Sequence, residues 1–465
     1  MSPKGGICIF GDEAELHDPN IMRKSLLLLL AAPLLAQDDS LSLREAVRLA
    51  IQGNKAIAGA SAGMRAAETR MDEARAGRLP KLNYSESFAR SDNPVFVFSS
   101  LLTQHQFGVE NFNIGPLNRP NSLNNFQSVL TVDQPLYDAG QARYAVKSAD
   151  LSRQMTGEEQ RHTQMQTIAG VAEAYYGAIL AAESLKTAEQ ALRSAEADLT
   201  RAESVRAAGM STDVDVLSIR VHLAAVTEQR IQRAADLDVA KSALNDVLGL
   251  PLDSGHRLTT SLSPLDLPEL TLASLEKDAS VTRPEARQVH LAADLAKTQS
   301  DSARSALLPQ VAFHAAFEAD RQQFINKGGA NWLASVGLRW NLFNGLADKA
   351  RIAESSDWLD RAHADEQRVD SAVRLEVRRA WANLRAAQQR IEVAKAAVAE
   401  AEESLRITQN RYESGMSNVT DLLRNETAAL ESRTRYLAAV HDQRMAATML
   451  DLAAGRLSPD SEVLN

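Results

Sequence analysis

The sequence predicts a mainly α-helical chain with a small β part, and three observations carry that reading. The second half restates the first: a shift of 206 lays Gly209-Met210-Ser211 on Gly415-Met416-Ser417, Asp215 on Asp421, Tyr175 on Trp381, and Gly249 on Gly455. Two runs, 138–208 and 344–414, contain no proline and carry apolar residues at helical spacing. Four segments of about ten residues alternate with a period of two, the signature of strands. Upstream, Arg78-Leu79-Pro80 falls on Leu307-Leu308-Pro309 at a shift of 229. The first copy therefore carries about 23 extra residues in its Asn/Pro-rich middle.

The N-terminus comes first in the chain. Met22-Arg23-Lys24-Ser25 followed by the apolar run Leu26 to Leu35 has the charged and apolar parts of a secretory leader, here 22–36, with cleavage expected after Ala36. Residues 1–21 lack that logic and read as an upstream start. No Cys follows the apolar run, which argues against a lipid anchor, and the lone Cys8 precedes the mature start. The expected mature chain then holds no thiol, disulfide or sulfur-ligated metal. The domains expected are a first repeat at 38–250, a linker at 251–270, a second repeat at 271–456 and a tail at 457–465.

Beyond the leader, no apolar run reaches the roughly 20 residues of a membrane-spanning helix. The four alternating segments do have the length of a transmembrane β-strand. Val311, Phe313, Ala315 and Phe317 alternate with Ala312, His314, Ala316 and Glu318, and Trp332, Ala334, Val336, Leu338 and Trp340 alternate with Ser335, Gly337, Arg339 and Asn341. The first copy repeats this as Leu82, Tyr84, Glu86, Phe88 and as Phe126, Ser128, Leu130, Val132. Glu86 interrupts its apolar face; either it lies above the lipid or that face is wrongly assigned.

The long runs read as paired helices. Leu185, Ala188, Leu192, Ala195, Leu199 and Ala202 step by three and four, and Ile391, Ala394, Val398, Ala401, Leu405 and Thr408 repeat the seam. Small residues at alternate seam positions let two helices approach closely. Partner helices follow the breaks at Gly209 and Gly415.

Counting strands gives the assembly. Lipid cannot satisfy an open sheet edge, and four strands per chain are too few to close. The expected fold is thus a homotrimeric, 12-stranded transmembrane β-barrel continued by a long α-helical coiled-coil barrel. A dimer would give eight strands and little lumen. The competing reading is a secreted periplasmic coiled-coil scaffold with a small soluble sheet.

At the tips Arg206 to Leu217 and Tyr412 to Leu423, at the junctions Leu136-Tyr137-Asp138-Ala139-Gly140 and Leu342-Phe343-Asn344-Gly345, and at Leu248-Gly249, the chain resembles TolC-like outer-membrane efflux proteins over nearly all of residues 38–456. The resemblance implies a homotrimer in outer-membrane lipid whose helices project into the periplasm. It also implies a passive exit duct, not an enzyme, that meets a periplasmic adaptor and an inner-membrane pump in a tripartite efflux or type I secretion system. Gly209, Met210, Ser211, Gly415, Met416 and Ser417 would form adaptor-docking tips, and Ser211, Thr212, Ser417 and Asn418 are also cap candidates.

Tyr412, Asp421 and Asp215 match the family's aperture residues, with a Tyr412–Asp215 hydrogen bond implied. The chain departs from the family where Ser417 replaces a basic residue and Arg424 stands in place of a second acidic ring. Arg424 then either pairs with Asp421 as a different lock or serves as an ordinary surface ion-pair residue. Phosphate loops and His-Glu-x-x-His are absent from the sequence, so no cofactor or metal is expected. The net charge of −9 has no basic block, so nucleic acid is not an expected partner. The stretch Ser91 to Asn125, with Phe96, Phe98, Phe107 and Phe112, reads as an external loop that either narrows the mouth or decorates the surface.

Overall fold

A computed structural model describes residues 40–266, 271–325 and 328–464. The leader at 22–36 lies outside the described residues, as do 267–270 of the linker and the last residue of the tail. In chain order come β1 (Ser40–Leu41), α1 (Leu43–Gly53), α2 (Lys55–Ala76), β2 (Lys81–Ser91), α3 (Pro94–Thr103), α4 (Ile114–Asn118), β3 (Leu123–Tyr137), α5 (Gln141–Ala207) and α6 (Asp213–Leu248). After β4 (Arg257–Leu258) come α7 (Leu272–Thr282), α8 (Pro284–Ser305), β5 (Gln310–Arg321), β6 (Gly329–Arg339), α9 (Ala347–Glu413) and α10 (Val419–Ala453).

The two copies match almost residue for residue. α1 and α7 have 11 residues each, α2 and α8 have 22, α5 and α9 have 67, and α6 and α10 have 36 and 35. At ~1.5 Å per residue the longest helices extend about 100 Å. The seam is confirmed: Ala188, Ala195 and Ala202 are buried, with Leu185, Leu192 and Leu199 half-buried between them. Two helices precede each strand pair, α1 and α2 in the first copy and α7 and α8 in the second. The breaks fall at Asn54, whose side chain caps α2 by accepting the Ala56 N–H at 2.8 Å, and before Pro284, whose ring cannot continue α7.

Each break is spliced to the far end of a return helix. Gly249 ends α6 at φ 74°, so close to α1 that a Cβ there would stand 2.5 Å from the Gly53 carbonyl oxygen. The Asn54 side chain donates to the Val247 carbonyl across the same junction, at 2.8 Å. Gly455 repeats the device at φ 69°, where a Cβ would meet the Arg283 backbone at 2.9 Å. Glycine is required at both places by close approach as well as by φ. The main core lies beside these splices, where Leu43, Ile168, Tyr175, Tyr176, Leu248, Leu275 and Leu450 are fully buried. Linker residues are fastened to it: Thr259 N–H bonds the Leu41 carbonyl, Gln443 exchanges two hydrogen bonds with the Leu265 backbone, and buried Arg444 bonds the Ser263 carbonyl at 2.9 Å.

The four long strands form one antiparallel sheet in the order β2-β3-β5-β6. Its register aligns Leu82, Val132, Ala315 and Ala334 in one row and Tyr84, Leu130, Phe317 and Trp332 in the next, so the apolar faces of all four strands coincide. Trp332 is 79% exposed and Val336, Leu338 and Leu82 are similarly bare. Lys81, Asp133, His314 and Ser335 share the opposite, polar face, where His314 and Asp133 approach to 2.8 Å. Glu86 belongs to the apolar face after all. It is neutralised by Arg321 at 2.8 Å and bonded by the Tyr84 and Ser128 hydroxyls.

Each strand pair passes into its long helix through two successive left-handed residues, Ala139 (φ 55°) with Gly140 (φ 85°) and Gly345 (φ 69°) with Leu346 (φ 70°). The external loop is shorter and more ordered than expected. Ser91 still belongs to β2, residues 123–125 already belong to β3, and the connection folds into α3, a short 3₁₀ turn at Val109–Phe112, and α4.

Candidate functional site

The helix tips are built from two matching turns. At the first, the Gly209 N–H bonds the Arg206 carbonyl at 2.8 Å and the Met210 N–H bonds the Val205 carbonyl at 3.1 Å. At the second, Gly415 and Met416 bond Tyr412 and Arg411 at 3.0 and 2.8 Å. A Cβ at either glycine would meet nothing within 4 Å, so φ values of 76° and 69°, and not crowding, select glycine.

Thr212 and Asn418 cap the returning helices. The Thr212 hydroxyl oxygen accepts the Asp215 N–H, Asp215 accepts the Thr212 N–H at 3.1 Å, and Asn418 accepts the Asp421 N–H at 2.8 Å. Ser211 does not cap; its hydroxyl donates to Asp215 at 3.0 Å. Ser417 is half-buried and takes part in neither cap. The bonds from the Thr212 backbone, the Thr212 hydroxyl and Ser211 hold the Asp215 carboxyl below the usual carboxylate range.

The two tips of one chain pack together. Ala202, Val216, Ile219 and Val419 form a buried cluster, with Leu199, Tyr412 and Leu423 against it, and Arg201 bridges to Glu413 at 3.2 Å. Tyr412 and Asp215 are thus brought near each other. Burial, and then the charges of Asp215 and Asp198, push the Tyr412 hydroxyl up. The implied Tyr412–Asp215 hydrogen bond is not made; the bonds to Asp215 come from Thr212 and Ser211, on Oδ2. Asp421 is half-buried in the first turn of α10, whereas Arg424 is exposed to solvent; among the described residues these two form no ion pair. Met210 and Met416 project at the apices, 76% and 66% exposed.

A second group of polar residues sits deeper, between α5, α6 and α10. Asp198 is 2% exposed and Glu426 9%. Ser194 donates to Glu426 at 3.2 Å, His222 Nε2 stands 3.3 Å from it, and Arg201 lies 3.1 Å from Asp198. Burial, and then the Glu426 carboxylate beside it, push the Asp198 carboxyl up to about 7. Burial opposes ionisation of Glu426 too, yet bonds from His222 and from protonated Asp198 outweigh it and hold that carboxyl below its ordinary value. Of the two carboxyls, Asp198 is the one pushed toward keeping its proton and Glu426 the one that carries the charge. The signal for this cluster was available, since Asp198 stands between seam residues Ala195 and Ala202, and Glu426 between Leu422 and Ala429.

A strand set with one continuous apolar face, joined to helices about 100 Å long, defines the protomer of an outer-membrane channel. The chain belongs to the outer membrane efflux protein family, whose model matches residues 46–250 and 275–456. It is 28% identical over 342 residues to protein CyaE of Bordetella pertussis, covering 72% of this chain and 71% of that one. It is 23% identical over 399 residues to the alkaline protease secretion protein AprF of Pseudomonas aeruginosa, covering 82% and 78%. The fold matches the Campylobacter jejuni CmeC outer membrane channel with a TM-score of 0.76 at 15% identity, over 90% of this chain and 87% of that one. The chain is accordingly an outer-membrane conduit and not an enzyme, and the soluble-scaffold reading falls.

Proposed function

We propose that three copies of the chain close one twelve-stranded barrel in the outer membrane, and that their helices continue it through the periplasm as the passive exit duct of a tripartite efflux or type I secretion system. The observation that carries this is the sheet: its apolar face is in register across four strands, and among the described residues the outer edges of β2 and β6 have no partner strand. Edges left bare in lipid cost several kcal/mol for each unsatisfied group, and pairing β2 of one copy with β6 of the next removes both. The two repeats, 38–250 and 271–456, would supply alternate sectors of the wall.

The paired tips are the surface for a periplasmic adaptor, with Gly209, Met210, Ser211, Gly415, Met416 and Ser417 at the apex and an inner-membrane pump beyond. Three half-buried Asp421 carboxylates around one axis would repel each other and draw cations. Heat-modifiable trimers in the outer-membrane fraction are the expected result, and a soluble periplasmic monomer would sink the proposal. For the aperture, Asp421→Ala should change single-channel conductance or cation selectivity in a planar bilayer; unchanged values of both would remove Asp421 from it.

A further inference from the structure

The connection between β2 and β3 does not stand clear of the sheet. α3 lies across the polar face at its outer end. Gln104, 1% exposed, donates to the Asn124 carbonyl at 3.0 Å and to the Asn125 side chain at 2.8 Å, and Asn125 donates to fully buried Asp320 at 2.6 Å. Asn125 and Asp320 alternate with Phe126 and Arg321 of the apolar face, so this latch sits on the side opposite the lipid-facing residues. At the far end of α3 the Thr103 carbonyl accepts from Asn331 of β6 at 3.3 Å. It also lies so close to Gly329 that there is no room for a Cβ at that position.

The dimensions fit a crossbar. α3 begins after a two-residue link, Asp92-Asn93, from the end of β2 and finishes on β6. Its 10 residues span about 15 Å, which equals the roughly 14 Å of three inter-strand steps. Asn93 caps it by accepting the Val95 and Phe96 N–H groups at 2.9 and 3.2 Å, and Pro94 opens it. Phe98 of α3 meets Phe107 edge-on at 4.8 Å, and Phe107 meets Phe112 at 5.2 Å, which braces the bar against the rest of the connection.

We infer that α3 is a fixed constriction across the outer mouth, and that three such bars set the size limit of what leaves the duct. This rests on the trimeric barrel proposed above. Twelve strands about 4.8 Å apart and tilted about 40° make a backbone cylinder roughly 24 Å across. Three helices roughly 10 Å thick, laid as chords inside that rim, leave an opening of roughly 10 Å or less. Small solutes and an extended polypeptide pass such an opening; a helix about 10–12 Å in diameter, or any folded protein, does not. The cargo class is therefore small molecules or unfolded chain.

The test uses a thiol below the bars. Ser335 is exposed on the polar face of β6, so Ser335→Cys in a Cys8→Ser background places one label site per chain in the lumen. Intact cells are treated from outside with a small maleimide or with a maleimide carried on polyethylene glycol of about 5 kDa, whose coil exceeds the ~10 Å opening. Because Ser91 and Leu123 are directly paired, an Asn-Gly turn can replace 92–122 without disturbing the register.

The small reagent should label both chains, and the large one should label the shortened chain at least about tenfold faster than the full chain, given an opening near the helix diameter. Gln104→Ala, which frees one anchor and leaves every strand intact, should also speed large-reagent labelling. Equal large-reagent rates in all three chains, with small-reagent labelling intact, would overturn the constriction alone. Failure of the small reagent on trimers present in the outer membrane would overturn the lumen assignment and the constriction with it.

Discussion

Asp198 keeps its proton to about pH 7 because it is buried beside Glu426. In the unfolded chain that carboxyl titrates near 3.8. Between those two values the folded chain holds a proton that the unfolded chain has released. The contribution of this group to stability is therefore greatest below pH ~4 and declines as pH rises toward ~7, with a slope approaching about 1.4 kcal/mol per pH unit. The groups facing it are Ser194 and Arg201 on α5, His222 on α6, Glu413 on α9 and Glu426 on α10. Asp198→Asn should flatten the fall in melting temperature between about pH 5 and about pH 8. A variant melting profile parallel to the wild type would show that the proton on Asp198 does not contribute to stability. The caps behave oppositely: Asp215 is held low, so its share is present above the ordinary carboxylate range and is lost as pH falls through the folded value. The tip glycines and cap residues were readable in the sequence because a turn leaves local marks. The Asp198–Glu426 meeting was not, because it joins residues 228 positions apart, on helices whose rotation about their axes no local pattern sets.

The strand-to-helix junctions show what elements cost at their ends. Leu346 sits at φ 70° with its side chain 63% exposed, so it bears the left-handed conformation with little packing in return. Leu346→Gly should raise stability by about 1 kcal/mol, read as a higher thermal midpoint, and an unchanged or lower midpoint would mean that the leucine packs against a neighbouring copy. Long helices were legible because periodicity and missing proline act over dozens of residues. The break at Asn54 was not, since one capping side chain interrupts an otherwise helical pattern. α3 was hidden for a related reason: Pro-Val-Phe-Val-Phe has strand composition, and the helix forms there only because Asn93 caps it and the sheet buries Val97 and Ser100.

For the whole molecule, the sheet makes a sharp demand on its surroundings. Val336 and Ser335 are adjacent in β6 but lie on its apolar and polar faces, which the proposed barrel turns to lipid and lumen respectively. Val336→Arg should cost about 2–4 kcal/mol near the membrane midplane and reduce the yield of outer-membrane trimer, whereas Ser335→Arg should assemble normally. Equal yields would contradict the assigned faces. Strand alternation made both faces visible in the sequence, and the open edges turned that pattern into a statement about how many chains are needed.

The splices at Gly53/Gly249 and Thr282/Gly455 have a geometric outcome for such an assembly. By abutting α6 against α2 and α10 against α8, they turn four shorter helices into two columns, which stand beside α5 and α9. Every chain then offers four columns under four strands, and a trimer twelve under twelve. Strands sit about 4.8 Å apart and packed helices about 8–10 Å apart, so an equal number of elements encircles a far larger area below the membrane than within it. In the proposed trimer the duct would taper toward its exit, leaving room to hold cargo between delivery and release.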